Sequence, residues 1–159
     1  MEHDGLIGNF DMLRFSWHVR DMVAGSAMPG HRGDIVEDLN KFKEEGIELI
    51  VSLTYTAFQI PPEFKDYFRV VQIPIVDGYP PDVEQMNEIM DLVRDALSKS
   101  RRVVIHCRGG MGRTATVIIP LLMEFENLSL EEAVEEVRKC GRFTQSSEQR
   151  EFIESWARS

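Results

Sequence analysis

The stretch His106–Thr114, "HCRGGMGRT", decides how the chain is read. It follows "RRVVI" (residues 101–105) and precedes "ATVIIPLLMEF" (115–125). The first run suits a buried strand, and the second a central helix that is apolar nearly all round. Ordinary packing has no use for a cysteine, three glycines and two arginines at such a junction. In open α/β sheets, ligands bind outside the carboxyl ends of strands. Gly109, Gly110 and Gly112 let the backbone curl and aim successive N–H groups inward, so that residues 108–112, including Arg108 and Met111, form a nest for an anion. A helix beginning near Arg113 adds unsatisfied N–H groups and a positive dipole end. Arg113 itself supplies a planar fork that can grip two phosphate oxygens.

Cys107 separates this cradle from a nucleotide-binding loop, whose G-x-x-x-x-G-K-[ST] pattern is absent. A guanidinium and a helix N-terminus favour thiolate over thiol, and such settings lower cysteine pKa values from about 8.5 to roughly 3.5–7.5. A thiolate beneath a bound phosphate is aimed at phosphorus. The competing reading is an inert buried cysteine beside a helix cap, which leaves the glycines and Arg113 unexplained.

Around this junction the chain reads as one domain, residues 1–159, of the α/β class, with a mainly parallel mixed sheet flanked by helices on both faces. "SWHVRDMVAGSAMPG" predicts a short strand entering a Pro-Gly turn. "IELIVSLT" predicts a strand covered on both faces, and "RVVQIPIV" a second central strand. Asp34, Asp82, Ser129 and Ser146 or Ser147 are expected to open helices, and Gly46 and Gly141 to close two of them. Val83, Met86, Met90, Val93 and Leu97 form one stripe of the Asp82 helix. Pro120 falls inside the central helix, where it removes a hydrogen bond and should kink it.

The net charge of −9 and a pI near 4.9 argue against nucleic-acid or anionic-membrane partners. Two cysteines make neither a disulfide framework nor a zinc-ligand spacing. The opening "MEHDGLIGNF" lacks a secretory pattern, and the expectation is a cytoplasmic monomer with reduced thiols.

The run "HCRGGMGRT" resembles the H-C-x-x-G-x-x-R-[ST] signature of the protein tyrosine phosphatase superfamily. The chain length and "PIVDGYPPD" are similar to its compact dual-specificity branch, across roughly Trp17–Trp156. The resemblance implies a phosphocysteine intermediate, no metal or other cofactor, and a phosphorylated protein or peptide as substrate. Asp77, 30 residues before Cys107 in a Gly/Pro-marked loop, aligns with the family's general acid. The same aspartate can instead bond its own turn backbone, and Asp82 competes for the acid role but reads better as a helix cap.

Thr114 can donate to the departing sulfur, or simply start the helix. His106 can orient Cys107, or be a packed strand-end histidine. Arg108 can meet substrate or be solvated, and is the sole cation added to the loop beyond Arg113. Gln145 and Gln149, in "QSSEQREF", resemble a glutamine-bearing loop that holds the hydrolytic water. Tyr55, Phe58 or Trp17 can wall the pocket. Cys140 reads as structural, with a Cys107 disulfide as a lesser alternative. A phosphoinositide or RNA 5′-triphosphate substrate, a phosphate-binding module without catalysis, and an arsenate-reductase-like redox enzyme are the competing functions.

Overall fold

The computed structural model describes residues 12–56 and 58–159; the opening segment read above for a secretory pattern lies outside the described residues. The strands are β1 (Ser16–Val19), β2 (Val23–Ser26), β3 (Ile47–Ser52), β4 (Arg69–Gln72) and β5 (Arg102–His106). The helices are α1 (Ile35–Glu44), α2 (Val83–Ser98), α3 (Gly112–Phe125), α4 (Leu130–Arg138) and α5 (Ser147–Arg158). The sheet order is β1-β2-β5-β3-β4, with β1 antiparallel to β2 and the other pairs parallel. The strand that delivers Cys107 is therefore the central one.

Side chains alternate across this sheet as period-2 geometry requires. Val51, Val103 and Ile105 face a core shared with α2, α3, α4 and α5. Ile50, Val104 and Ala24 face a second core with Leu39 and Phe42 of α1, and with Phe64 and Phe68. Helices thus cover both faces. From Gly112 to Leu122 every residue of α3 is buried. The loop carrying the cysteine consequently joins a strand buried from Val103 to His106 and a helix buried from Gly112 to Leu122, which fixes both of its ends.

Four helices start on side-chain caps, each worth about 1 kcal/mol. Asp34 accepts from Glu37 N, and Ser146 accepts from Gln149 N. Asp82–Gln85 and Ser129–Glu132 form reciprocal capping boxes. Helix α3 has no side-chain cap, which leaves its first-turn N–H groups to the loop. Among the described residues no helix is long and apolar enough to cross a membrane.

Several expectations are corrected. "SWHVRDMVAG" is a hairpin of two strands, because Arg20 adopts φ 53° and Met22 N bonds Val19 O at 3.0 Å. No Gly or Asn marks that left-handed turn. "RVVQIPIV" forms an edge strand, Arg69–Gln72, beyond which Ile73 N still bonds Ser52 O at 2.8 Å and Ile75 N bonds Leu53 O at 3.1 Å, either side of Pro74, a residue that an edge position tolerates. Val83, in the first turn of α2, is 62% exposed and lies off the buried stripe, which Ile89 and Ala96 join instead. Pro120 falls inside α3 as expected, buried, and the helix continues past it to Phe125.

Candidate active site

The site assembles at the carboxyl end of β5. Cys107 is 3% exposed, and its Sγ accepts a hydrogen bond from Thr114 Oγ1 at 3.0 Å. One turn of α3 thus carries a hydroxyl back onto the sulfur. His106 is fully buried, with Nδ1 3.1 Å from the Cys107 carbonyl and its ring edge-on to Phe58. A carbonyl only accepts, so Nδ1 carries the hydrogen. Burial, chiefly, pushes the His106 pKa down to about 4, and the ring is neutral at pH 7. Backbone bonds from Leu53 N to His106 O (2.8 Å) and from Met28 N to Arg108 O (3.0 Å) pin the loop to neighbouring strand ends.

Arg113 is 5% exposed. Its Nη1 donates to Ile75 O at 2.9 Å and to Leu53 O at 3.4 Å. Its Nε lies 3.6 Å from Asp77 Oδ1 and makes no hydrogen bond. The guanidinium is therefore oriented by carbonyls while keeping a donor for an anion. Asp77, with 83% of its side chain exposed, overhangs it. Asp77, Arg108 and Arg113, with Met28 and residues 54–56, line a cavity of about 290 Å³. A hollow of about 400 Å³ between β1 and α1, lined by Phe15, Ser16 and Trp17 among others, lies apart from Cys107, Arg113 and Asp77.

Of the loop glycines, Gly110 is dictated by packing. It has φ +77°, and a Cβ there would stand 2.7 Å from Ala27 N. A Cβ at Gly112 would collide with Gln145 Oε1, whereas one at Gly109 would meet open space.

Beneath the loop lies a residue that the sequence reading missed. Arg142 is completely buried. It donates to Gly110 O (3.0 Å), Arg14 O (2.7 Å), Ser16 Oγ (2.9 Å) and His18 Nε2 (3.0 Å). Burial lowers its pKa to about 10, which leaves it charged at neutral pH. Burial first, and the Arg142 charge second, push His18 down to about 3, so His18 stays a neutral acceptor. The available signal was Gly25 in mid-strand, a mark of close approach; a Cβ there would lie 2.7 Å from Arg142 Nε.

The remaining candidates divide. Tyr55 lines the cavity and Phe58 packs on His106, but Trp17 belongs to the second core, with its Nε1 donating to Glu45. Gln149 is fully buried, its Oε1 accepting from Gln145 N at 2.7 Å and its Nε2 without a partner. Neither glutamine lines the cavity over Arg113. Asp82 caps α2 with Gln85, as its sequence context suggests. Cys107 and Cys140 are both free thiols. Burial first, then the charges of Arg108 and Arg32, lower the pKa of His31.

Comparisons with known proteins agree with this geometry. Residues 24–126 match the family described as "Polymorphic toxin system, DSP-PTPase phosphatase". Dual specificity protein phosphatase 1-A of Xenopus laevis is 28% identical over 119 residues, 74% of this chain, and the match spans 30% of that relative's length. Human protein tyrosine phosphatase type IVA 3 is 26% identical over 141 residues, covering 87% of this chain and 79% of the relative. The crystal structure of Tk-PTP in the active form superposes with a TM-score of 0.78 at 29% identity, over 91% of this chain and 97% of that one. The chain belongs to the DSP-PTPase phosphatase family, the dual-specificity type of the protein tyrosine phosphatase superfamily.

Proposed function

We propose that the protein is a cysteine-dependent phosphatase that hydrolyses phosphotyrosine, and also phosphoserine and phosphothreonine, in proteins or peptides. The observation that carries this reading is a buried guanidinium with an unpaired donor and the Asp77 carboxyl beside it on one cavity, at the helix start whose Thr114 hydroxyl holds the Cys107 thiol.

In the first step the Cys107 thiolate attacks phosphorus. An S–P bond forms as the P–O bond to the substrate breaks, and Asp77 gives its proton to the leaving oxygen. Arg113 and the N–H groups opening α3 hold the equatorial oxygens, so most of the rate enhancement comes from position and electrostatics. In the second step water attacks phosphorus while Asp77 takes its proton. The S–P bond breaks, phosphate leaves, and the Thr114 hydroxyl stabilises the returning thiolate. His106, neutral and bonded to the Cys107 carbonyl, orients the loop and accepts no proton in this scheme.

A panel of phosphotyrosine, phosphoserine and phosphothreonine peptides, turned over with chelator present, tests the reading. Cys107→Ser should abolish phosphate release. Arg113→Ala and Asp77→Asn should each lower kcat by about 10²–10⁴. Phosphate release by Cys107→Ser at the wild-type rate would refute the scheme.

A further inference from the structure

The two residues just before α5 touch both halves of the site, and the cap, Ser146, reaches the Asp77 loop through its hydroxyl. Ser146 Oγ accepts from Gln149 N at 3.1 Å, the bond that caps the helix. Its only hydrogen goes to Gly78 O at 2.6 Å, across 68 residues of sequence. Gly78 directly follows Asp77 and has φ +86°, in a turn closed by Tyr79 N to Val76 O at 2.9 Å. One residue before Ser146, Gln145 Oε1 packs where a Cβ on Gly112 would be, against the start of α3.

We propose that Ser146 is a positioning residue for Asp77: its hydroxyl clamps the acid loop to the helix start whose preceding residue, Gln145, abuts the nucleophile loop. The proposal rests on Asp77 acting as the general acid. The near side of the loop is already held, since Arg113 Nη1 binds Ile75 O at 2.9 Å and Gln85 Nε2 binds Pro74 O at 2.8 Å. The Ser146 bond holds the far side. Asp77 lies between these supports with its side chain almost wholly in solvent, so its direction comes from backbone held on either side and from the 3.6 Å approach to Arg113. General acid catalysis needs the carboxyl within about 3 Å of the leaving oxygen, and misplacement by about 1 Å can cost a hundredfold.

The test uses Ser146→Gly, because glycine caps a helix nearly as well as serine yet offers no donor to Gly78. Aryl phosphates spanning good to poor leaving groups are turned over by the wild type, Ser146→Gly, Asp77→Asn and the double variant. The expected result for Ser146→Gly is a kcat/KM loss of about ten- to a hundredfold on phenyl phosphate, a loss under about twofold on an aryl phosphate whose phenol needs no proton, and restoration by Ser146→Thr. The double variant should match Asp77→Asn on every substrate. Equal losses across the series, or a further loss in the Asp77→Asn background, would reduce Ser146 to a helix cap and overturn the proposal. If Asp77→Asn itself retains the wild-type leaving-group dependence, the acid assignment fails, and the role of Ser146 fails with it.

Discussion

The two halves of the site are built in opposite ways. On the nucleophile side His106, Cys107, Arg113 and Thr114 are all at most 5% exposed, between a central strand and a buried helix. On the acid side Asp77 has 83% of its side chain in solvent, and Val76 and Tyr79 beside it are about half exposed. The contrast fits the role proposed for each. An anion cradle works through donors that are already in place and need not reorganise, which calls for packing. An acid that serves leaving groups of different shape must stay accessible, and its loop is held by three hydrogen bonds from Arg113, Gln85 and Ser146.

Breaking the buried side should therefore cost stability and activity together, whereas loosening the acid side should cost activity alone. The largest effect of the first kind is expected for Arg142→Met. It keeps the apolar stem but leaves the carbonyls of Gly110 and Arg14 and the Ser16 hydroxyl without their donor. The expected loss is on the order of 3–5 kcal/mol, read as a lower denaturation midpoint, with kcat down about a hundredfold in the folded protein. A variant with unchanged midpoint and kcat would remove Arg142 from the account.

A smaller effect on the same side appears as pH dependence. The His106 pKa is about 4 in the folded protein against an ordinary 6.5. Between those values the unfolded chain binds a proton that the folded one refuses. Stability from this group is complete above pH 6.5 and is lost as pH falls toward 4, by about 3 kcal/mol. His18, pushed to about 3, acts in the same direction over a window extending lower. Denaturant melts at pH 7 and pH 4.5 should show a smaller acid penalty for His106→Gln than for the wild type. Equal penalties would mean that His106 is not held neutral.

The sequence made the nucleophile side legible because its chemistry is contiguous: strand, cysteine, glycines, arginine and helix follow one another in fourteen residues from Arg102 to Ala115. Asp77 was reachable through its Gly/Pro loop and the resemblance to a family. The supports were not reachable in this way. Arg142 meets Gly110 across 32 residues and Arg14 across 128, and a lone arginine after a helix looks like any solvated cation. Ser146 or Ser147 was expected to open the last helix and Ser146 is its cap, but a cap's second bond depends on which loop folds over it. The matched family region also ends at residue 126, before either support. The edge position of β4 and the β1–β2 hairpin were hidden for a related reason, since strand order is a property of pairing and not of any one run.

The central claim is that sulfur, and no other atom, receives the phosphoryl group. Acid-quenched turnover of an aryl phosphate, followed by peptide mass spectrometry, tests it most directly. The account predicts a phosphate adduct on Cys107, more abundant in Asp77→Asn on an activated substrate, where formation outpaces the base-assisted hydrolysis. Phosphate released at full rate with the adduct on another residue, or on none, would contradict it.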